Sequence, residues 1–296
     1  TGGMVSPATA RPGTAELPAG AIASEVEIRH VRTHEEFVQC VELQAATWGA
    51  GFRESVPATI LKITQRLGGV TAGAYAPDGT LLGFIFGVTG IEHGTLVHWS
   101  DMLAVDERAQ NQGIGRRLKE FQREAVRAIG VSRMYWTYDP LVARNAHFNL
   151  NRLGARVAEY VEDMYGADTG SALHSGLGTD RFIVVWPVGP AEREPADSDL
   201  SPALAAWRSA PILNDADLQS LALLPPALAR VEIPADIFQL QQDHMAEAVR
   251  WRDSTRRALQ WALAIGYRIE RFERDAPGSR GFYLLARHPA TTSAER

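Results

Sequence analysis

The sequence predicts an α/β (α+β) protein, with strands and helices interleaved over residues 25–188 and a smaller α+β unit over 201–290. Three observations carry this. Short runs alternate apolar and polar residues with the period of a half-buried strand, and between them apolar residues recur at helical spacing behind recognisable caps. A stretch rich in proline and charge, residues 189–200, then reads as a linker between the two parts. The chain has 296 residues, which at about 150 residues per domain suits two compact units.

Each element has its own signal. Val26–Arg32 alternates as a strand, and Thr33 with Glu36 forms a capping box ahead of Phe37, Val38, Val41, Ala45 and Trp48, with Gly49 as the stop. A second helix is expected over 56–67, with Ser55 as cap and Pro57 in its first turn. Residues 70–75 and 81–88 read as strands joined through Pro77-Asp78-Gly79, and 95–105 as a further strand. A polar turn over 106–112 leads to a helix from Gly113 to about Ile129, its apolar stripe formed by Leu118, Phe121, Ala125, Val126 and Ile129. A strand (133–138), a helix (145–153) ended by Gly154, and strands at 156–162 and 181–188 complete this region. Beyond the linker, a strand over 229–233, a long helix over 243–265 and a hairpin of strands 267–274 and 281–286 are expected. Leu153-Gly154-Ala155-Arg156-Val157 has a weak echo in Ile265-Gly266-Tyr267-Arg268-Ile269, so a partial repeat is considered.

Composition narrows the class. Apolar residues are 45% and charged residues 22%, ordinary globular usage, which argues against disorder, collagen and coiled coil. A net charge of −5 argues against broad binding to nucleic acid or anionic membranes. The longest apolar run, Leu81 to Ile91, is far short of the roughly 20 residues a spanning helix needs. Residues 1–24 read as a disordered leader, without the charged-then-apolar order of a secretory signal. One cysteine, Cys40, allows no intramolecular disulfide and fits a reducing cytoplasm. His30 and His34 have metal-like spacing but straddle a strand and a helix cap, so no metal is expected, and none of the zincin, zinc-ribbon or α/β-hydrolase motifs occurs.

One segment carries chemistry. In Leu103-Ala104-Val105-Asp106-Glu107-Arg108-Ala109-Gln110-Asn111-Gln112-Gly113-Ile114-Gly115-Arg116-Arg117 an apolar strand ends, a polar turn follows, and two glycines open a helix. The first helical N–H groups have no intrahelical acceptor, and the helix dipole adds positive potential there. Together they suit a pyrophosphate, with Arg116 and Arg117 adding charge. A P-loop needs Lys-Ser/Thr after the second glycine, where this chain has two arginines. A dinucleotide fingerprint needs a third glycine near Leu118 and an acid earlier than Asp139. The remaining reading is a Gln/Arg-x-x-Gly-x-Gly/Ala loop, here Gln110 to Gly115.

With this loop, the Leu-Ala-Val strand before it and the later Asn145-Ala146 helix ending in Arg152-Leu153-Gly154, the chain resembles the GCN5-related N-acetyltransferase (GNAT) superfamily over about residues 25–188. The resemblance implies a mixed, mostly antiparallel sheet flanked by helices. It implies that the backbone amides of Gln110, Asn111, Gln112, Gly113, Ile114 and Gly115, with Arg116 beside them, hold the pyrophosphate of coenzyme A. Leu103, Ala104 and Val105 would pair through main chain with the pantetheine arm where their strand splays from its neighbour, and Asn145 would hydrogen-bond that arm or the adjacent phosphate. A tyrosine that serves many members as general acid is replaced here by Leu150, which leaves Tyr138, Tyr165 and His147 as the nearest proton donors.

Acyl transfer to an amine is assisted by a base that removes a proton, and the resemblance implies that this base, or a water it orders, lies on the strand before the loop. His98 and Asp101 are the candidates, and alternation puts His98 and Ser100 on one face, Trp99 and Asp101 on the other. Trp99, Trp136 and Arg144 are candidates for the acceptor pocket. The resemblance therefore implies an N-acyltransferase using acetyl-CoA or another acyl-CoA such as succinyl-CoA, with no metal, acting on a small amine such as an amino acid. No nucleic-acid or membrane partner is expected, and a homodimer stays open. The alternatives are a non-catalytic acyl-CoA-binding or sensing module and a structural interaction domain.

Overall fold

The computed structural model describes residues 25–166, 176–189, 201–275 and 279–288. The leader and all but the first residue of the expected linker lie outside them. A seven-stranded sheet runs β1 (Glu27–His30), β2 (Val70–Tyr75), β3 (Leu81–Glu92), β4 (Thr95–Val105), β5 (Arg133–Tyr138), β7 (Arg181–Pro187) and β6 (Arg156–Val161) in spatial order. All neighbours pair antiparallel except β4 and β5, which run parallel. The mixed, mostly antiparallel sheet is as expected. β3 is longer than its sequence signal, because His93 and Gly94, both at positive φ, turn it directly into β4.

Helices α1 (His34–Trp48) and α2 (Ala58–Arg66) cover one face of the sheet. The capping box on α1 is present, with the Thr33 side chain accepting from the Glu36 N–H. The cap of α2 is Pro57, not Ser55, whose hydroxyl instead donates to Gln44 Oε1 at 3.1 Å. Phe37, Cys40, Leu61, Phe84, Phe86, Met102 and Ala104 form the core on this side. Burial raises the Cys40 thiol to about 12, so it is inert as a nucleophile.

The other face packs against α3 (Ile114–Arg127) and a segment in which a short helix, α4 (Ala143–Ala146), continues as a π-helical turn, His147–Arg152. Its core extends without a break to the C-terminal part. There α5 (Ser201–Arg208), α6 (Leu218–Leu223), α7 (Ile237–Asp243) and α8 (Met245–Ala264) accompany a three-stranded antiparallel sheet. Its order is β8 (Leu228–Pro234), β10 (Arg280–Arg287), β9 (Tyr267–Arg274). The helices α5, α6 and α7 had no counterpart in the sequence reading. Gly154 and Gly266 both take positive φ between a helix and a strand. The three strands of the C-terminal sheet pair antiparallel, and Ile212 adds an isolated parallel bridge to Arg230 of β8.

The two parts are tied by specific bonds as well as apolar packing. Tyr283 donates to the Pro140 carbonyl (2.7 Å), and the Asn151 side chain bonds both the N–H and the carbonyl of Phe272. Arg252 on α8 reaches Asp139 (2.6 Å) and the Leu177 carbonyl (3.0 Å), and Arg256 forks onto Asp180.

Candidate active site

β4 and β5 pair only at Val97–Arg133, His98–Met134 and Trp99–Tyr135. Beyond that point they separate, and residues 100–105 carry a strand edge that β5 does not fill. A cleft of about 500 Å³ occupies the gap. An unpaired strand edge offers alternating N–H and C=O groups to any extended partner.

A bulge shapes the same edge. Phe86 pairs with Met102 and Gly87 with Ser100, so Asp101 is the extra residue and the face assignment reverses across it. Before the bulge, Ser100 and His98 point toward α3, where Lys119 Nζ donates to Ser100 Oγ at 2.8 Å. After it, Leu103 and Val105 point that way, each within 4 Å of where a Cβ on Gly115 would lie, while Met102 and Ala104 join the core under α1 and α2. Simple alternation would have kept Met102 on the face of Ser100.

The loop that follows opens α3 as the sequence led us to expect. Asp106 caps a 3-10 turn, Glu107–Ala109, and binds Arg108 in a two-point ion pair. Asn111 and Gly113 take positive φ, and a Cβ at Gly113 would meet nothing within 4 Å. The first bond into the helix runs from Arg117 N–H to the Gly113 carbonyl, so the N–H groups of Ile114, Gly115 and Arg116 point out of the helix start. The arginines differ from expectation in what they hold. Arg116 pairs with Glu120 at 2.8 Å, and Arg117 turns back to the Val26 carbonyl at 2.7 Å.

Of the sequence candidates, the cleft brings together Asp101, Leu103, Trp136, Tyr138, Arg144, Asn145 and Tyr165. Surrounding walls and the Glu54 carboxylate push the Asp101 carboxyl above the usual carboxylate range, against a hydrogen bond from Trp99. Tyr165 Oη lies 2.9 Å from Thr137 Oγ1, and burial raises its phenol. Burial likewise raises Tyr138, which packs edge-on against Phe182. Arg144 faces the Phe238 ring of α7, so the C-terminal part contributes to the cleft wall.

His98 and Trp99 are corrections, since neither lines the cleft. His98 is fully buried against α3 with Nδ1 2.9 Å from Thr89 Oγ1. Burial, with Lys119 nearby, lowers it to about 3, so it is a neutral packing residue. Trp99 sits in the paired part of β4, opposite Val88 and Tyr135, before the strands part. Leu150 is buried in the core beneath the π-helical turn, and its neighbour Asn149 accepts from the Trp136 indole N–H at 2.8 Å.

The sequence reading passed over Lys119 and Asn149, both buried on the α3 side and both lining the cleft. The signal for Lys119 was its place four residues after Gly115 and three before Gln122. That row widens the buried stripe of Leu118 and Val126, against which Phe121 and Ala125 pack and of whose expected members Ile129 alone is exposed. A second cleft, of about 620 Å³, lies on the C-terminal part. It is walled by Asp215, Glu232, Asp236, Asp243 and Glu247, and such a wall repels a polyphosphate.

The model of the acetyltransferase (GNAT) family matches residues 37–154. This part of the chain is a GNAT domain. The match runs from within α1 through the π-helical turn and so includes the bulged strand, the loop and most of the residues that line the cleft, Tyr165, Arg181 and Phe238 excepted. No curated protein matches the chain in sequence. Among solved structures, aminoglycoside 6'-acetyltransferase type Ii is 20% identical, with a TM-score of 0.44, covering 57% of this chain and 99% of its own. An acetyltransferase of the GNAT family from Streptococcus pneumoniae is 17% identical, with a TM-score of 0.44, covering 56% and 100%. An aminoglycoside 6'-N-acetyltransferase complexed with coenzyme A is 15% identical, with a TM-score of 0.42, covering 57% and 99%. Among the described residues of the chain, no helix is long and apolar enough to cross a membrane.

Proposed function

We propose that the protein is an acyl-CoA-dependent N-acyltransferase that moves an acetyl or other short acyl group, such as succinyl, to the primary amine of a small molecule such as an amino acid. The observation that carries this is the parting of β4 from β5 directly beside a helix start with outward N–H groups. The GNAT domain supplies the donor site and 201–290 packs as a second unit that completes the cleft wall through Phe238.

The amides of Gln110 to Gly115, with Arg116 at their edge, bind the pyrophosphate. A glycine at 113 leaves the approach open. Leu103, Ala104 and Val105 bond the pantetheine amides through main chain, and Asn145 holds the same arm from α4. The acceptor enters from the side of Trp48, Phe52 and Glu54, between Trp136, Thr137 and Tyr165. Holding the amine against the thioester carbonyl supplies most of the rate.

The amine nitrogen attacks the carbonyl carbon, the N–C bond forms, and the C–S bond breaks. The amine proton passes to the Asp101 carboxylate. The sulfur leaves as a thiolate and takes a proton from water, which suffices because an alkyl thiol resembles the cysteine reference of about 8.5. That removes the need for a hydroxyl at Leu150. Tyr165, raised by burial, serves as a hydrogen-bond donor at the cleft wall and keeps its proton, whereas the Tyr138 hydroxyl is buried beside Tyr283 and keeps its proton there.

The test is thiol release from acetyl-CoA and succinyl-CoA over a panel of amino acids and small amines, with the product mass measured. Turnover that drops about a hundredfold or more in Asp101→Asn supports the assignment. Tight CoA binding without thiol release on the panel favours the sensing module, the reading that Leu150 supports.

A further inference from the structure

α3 buries a lysine on the donor side of the cleft. Lys119 is 3% exposed, donates to Ser100 Oγ (2.8 Å), and lies over the Trp136 ring at 3.9 Å. Burial is what pulls its ammonium well below its usual range, and no carboxylate opposes that. A methionine of similar shape would bear no such desolvation cost.

The groups around it leave only donors facing the cleft. Ser100 Oγ already accepts from Lys119 and keeps its hydroxyl hydrogen to give. Asn149 Oδ1 is taken by the Trp136 indole N–H (2.8 Å), which leaves the amide nitrogen as a donor. Lys119, Ser100 and Asn149 all line the cleft. The carboxylates that border it stand elsewhere, with Glu54 and Asp101 toward the acceptor side and Asp139 held by Arg252. A concave floor of one lysine amine, one hydroxyl and one amide N–H, whose oxygens already accept from Lys119 and Trp136, matches a carboxylate, and the carboxylate would in turn hold the amine protonated.

We infer that this floor receives the far end of the donor's acyl group, and that the preferred donor is a coenzyme A thioester of a short dicarboxylic acid. This rests on the reading of the cleft as an acyl-CoA site. The donor is favoured over the acceptor as the source of the carboxylate because Lys119 and Ser100 lie on the α3 face, continuous with Leu103 and the helix start. The acceptor entrance opens past Trp48 and Phe52 on the opposite face.

The experiment measures dissociation constants of CoA, butyryl-CoA and succinyl-CoA by calorimetry for the wild type, Lys119→Met and Ser100→Ala. The wild type should bind succinyl-CoA about ten- to a hundredfold more tightly than butyryl-CoA, the range of a charge-assisted hydrogen bond. Lys119→Met should reverse that order while binding CoA itself as the wild type does, and Ser100→Ala should narrow the ratio. Melting curves guard the comparison, since a methionine in this buried site should leave the midpoint equal or higher. Equal wild-type affinities for the two thioesters, or a ratio unmoved in both variants, overturn the inference and leave the CoA site standing. A wild type that does not bind CoA overturns the site assignment, and the inference falls with it. A Lys119→Met effect confined to carboxylate-bearing acceptors assigns the floor to the acceptor and overturns the inference.

Discussion

Gly113 separates the fold from the ligand, because the two ask different things of it. Its backbone sits at φ 78° and ψ 0°, in the left-handed region, and a Cβ there would meet nothing within 4 Å. Replacing it by alanine therefore costs only the conformational penalty, roughly 1–2 kcal/mol. At about 2–4 °C per kcal/mol for a chain of this size, the melting midpoint should fall by roughly 2–8 °C. Glutamate pays the same backbone penalty and has the same open space, so its midpoint should match that of alanine. Binding should not match. On the proposed site, alanine puts one methyl group where a pyrophosphate would approach, whereas glutamate puts bulk and a negative charge at the positive end of the helix proposed to hold that anion. CoA titration should show a moderate loss for Gly113→Ala and a loss of about a hundredfold or more for Gly113→Glu, or roughly 2.7 kcal/mol. Unchanged affinity in Gly113→Glu would refute the anion site. A midpoint far lower in Gly113→Glu than in Gly113→Ala would refute the claim of open space.

Other expectations follow from the same geometry. Gly115→Ala, in the first turn of α3 with only ordinary contacts to Leu103 and Val105, should raise the midpoint slightly, by helix propensity, and keep CoA binding. Arg252→Met breaks a buried pair with Asp139 and should cost roughly 3 kcal/mol, read as a melting midpoint lower by about 6 °C or more. The transfer rate should fall on acidification through the raised Asp101 carboxyl, and that limb should vanish in Asp101→Asn. His98, held neutral to about 3, should contribute no limb near the ordinary histidine range. Glu36 is lowered to about 2 by the Arg29 fork, so the stability it contributes is present above the ordinary glutamate range and lost as pH falls toward 2. Glu36→Gln should flatten that part of an acid-denaturation curve.

The strand, loop and helix start proposed as the donor site were legible in the sequence because they are local. A strand, a turn and a glycine-opened helix follow one another within residues 103–117, and each has a short-range cause in caps, φ requirements and periodicity. The bulge at Asp101 was not legible. It arises from a register shift against Gly87 in the partner strand, which depends on how the two strands pair. Lys119 was hidden for a related reason. Its charge suggested the solvent face of an amphipathic helix, and only the position of Trp136 and Ser100 across the sheet makes a buried ammonium tolerable. The contribution of Phe238 and Arg252 depends on contacts about a hundred residues apart in the chain, which no local pattern encodes. The missed helices α6 and α7 did carry a signal, since Asp217 and Asp236 each cap their first turn.

A crystal structure with CoA bound tests the site most directly. The pyrophosphate should rest on the amides at the start of α3, with the pantetheine arm bonded to Leu103–Val105 as an added strand between β4 and β5. Coenzyme A found in the acidic cleft of the C-terminal part, or anywhere that leaves the β4 edge unpaired, would contradict it.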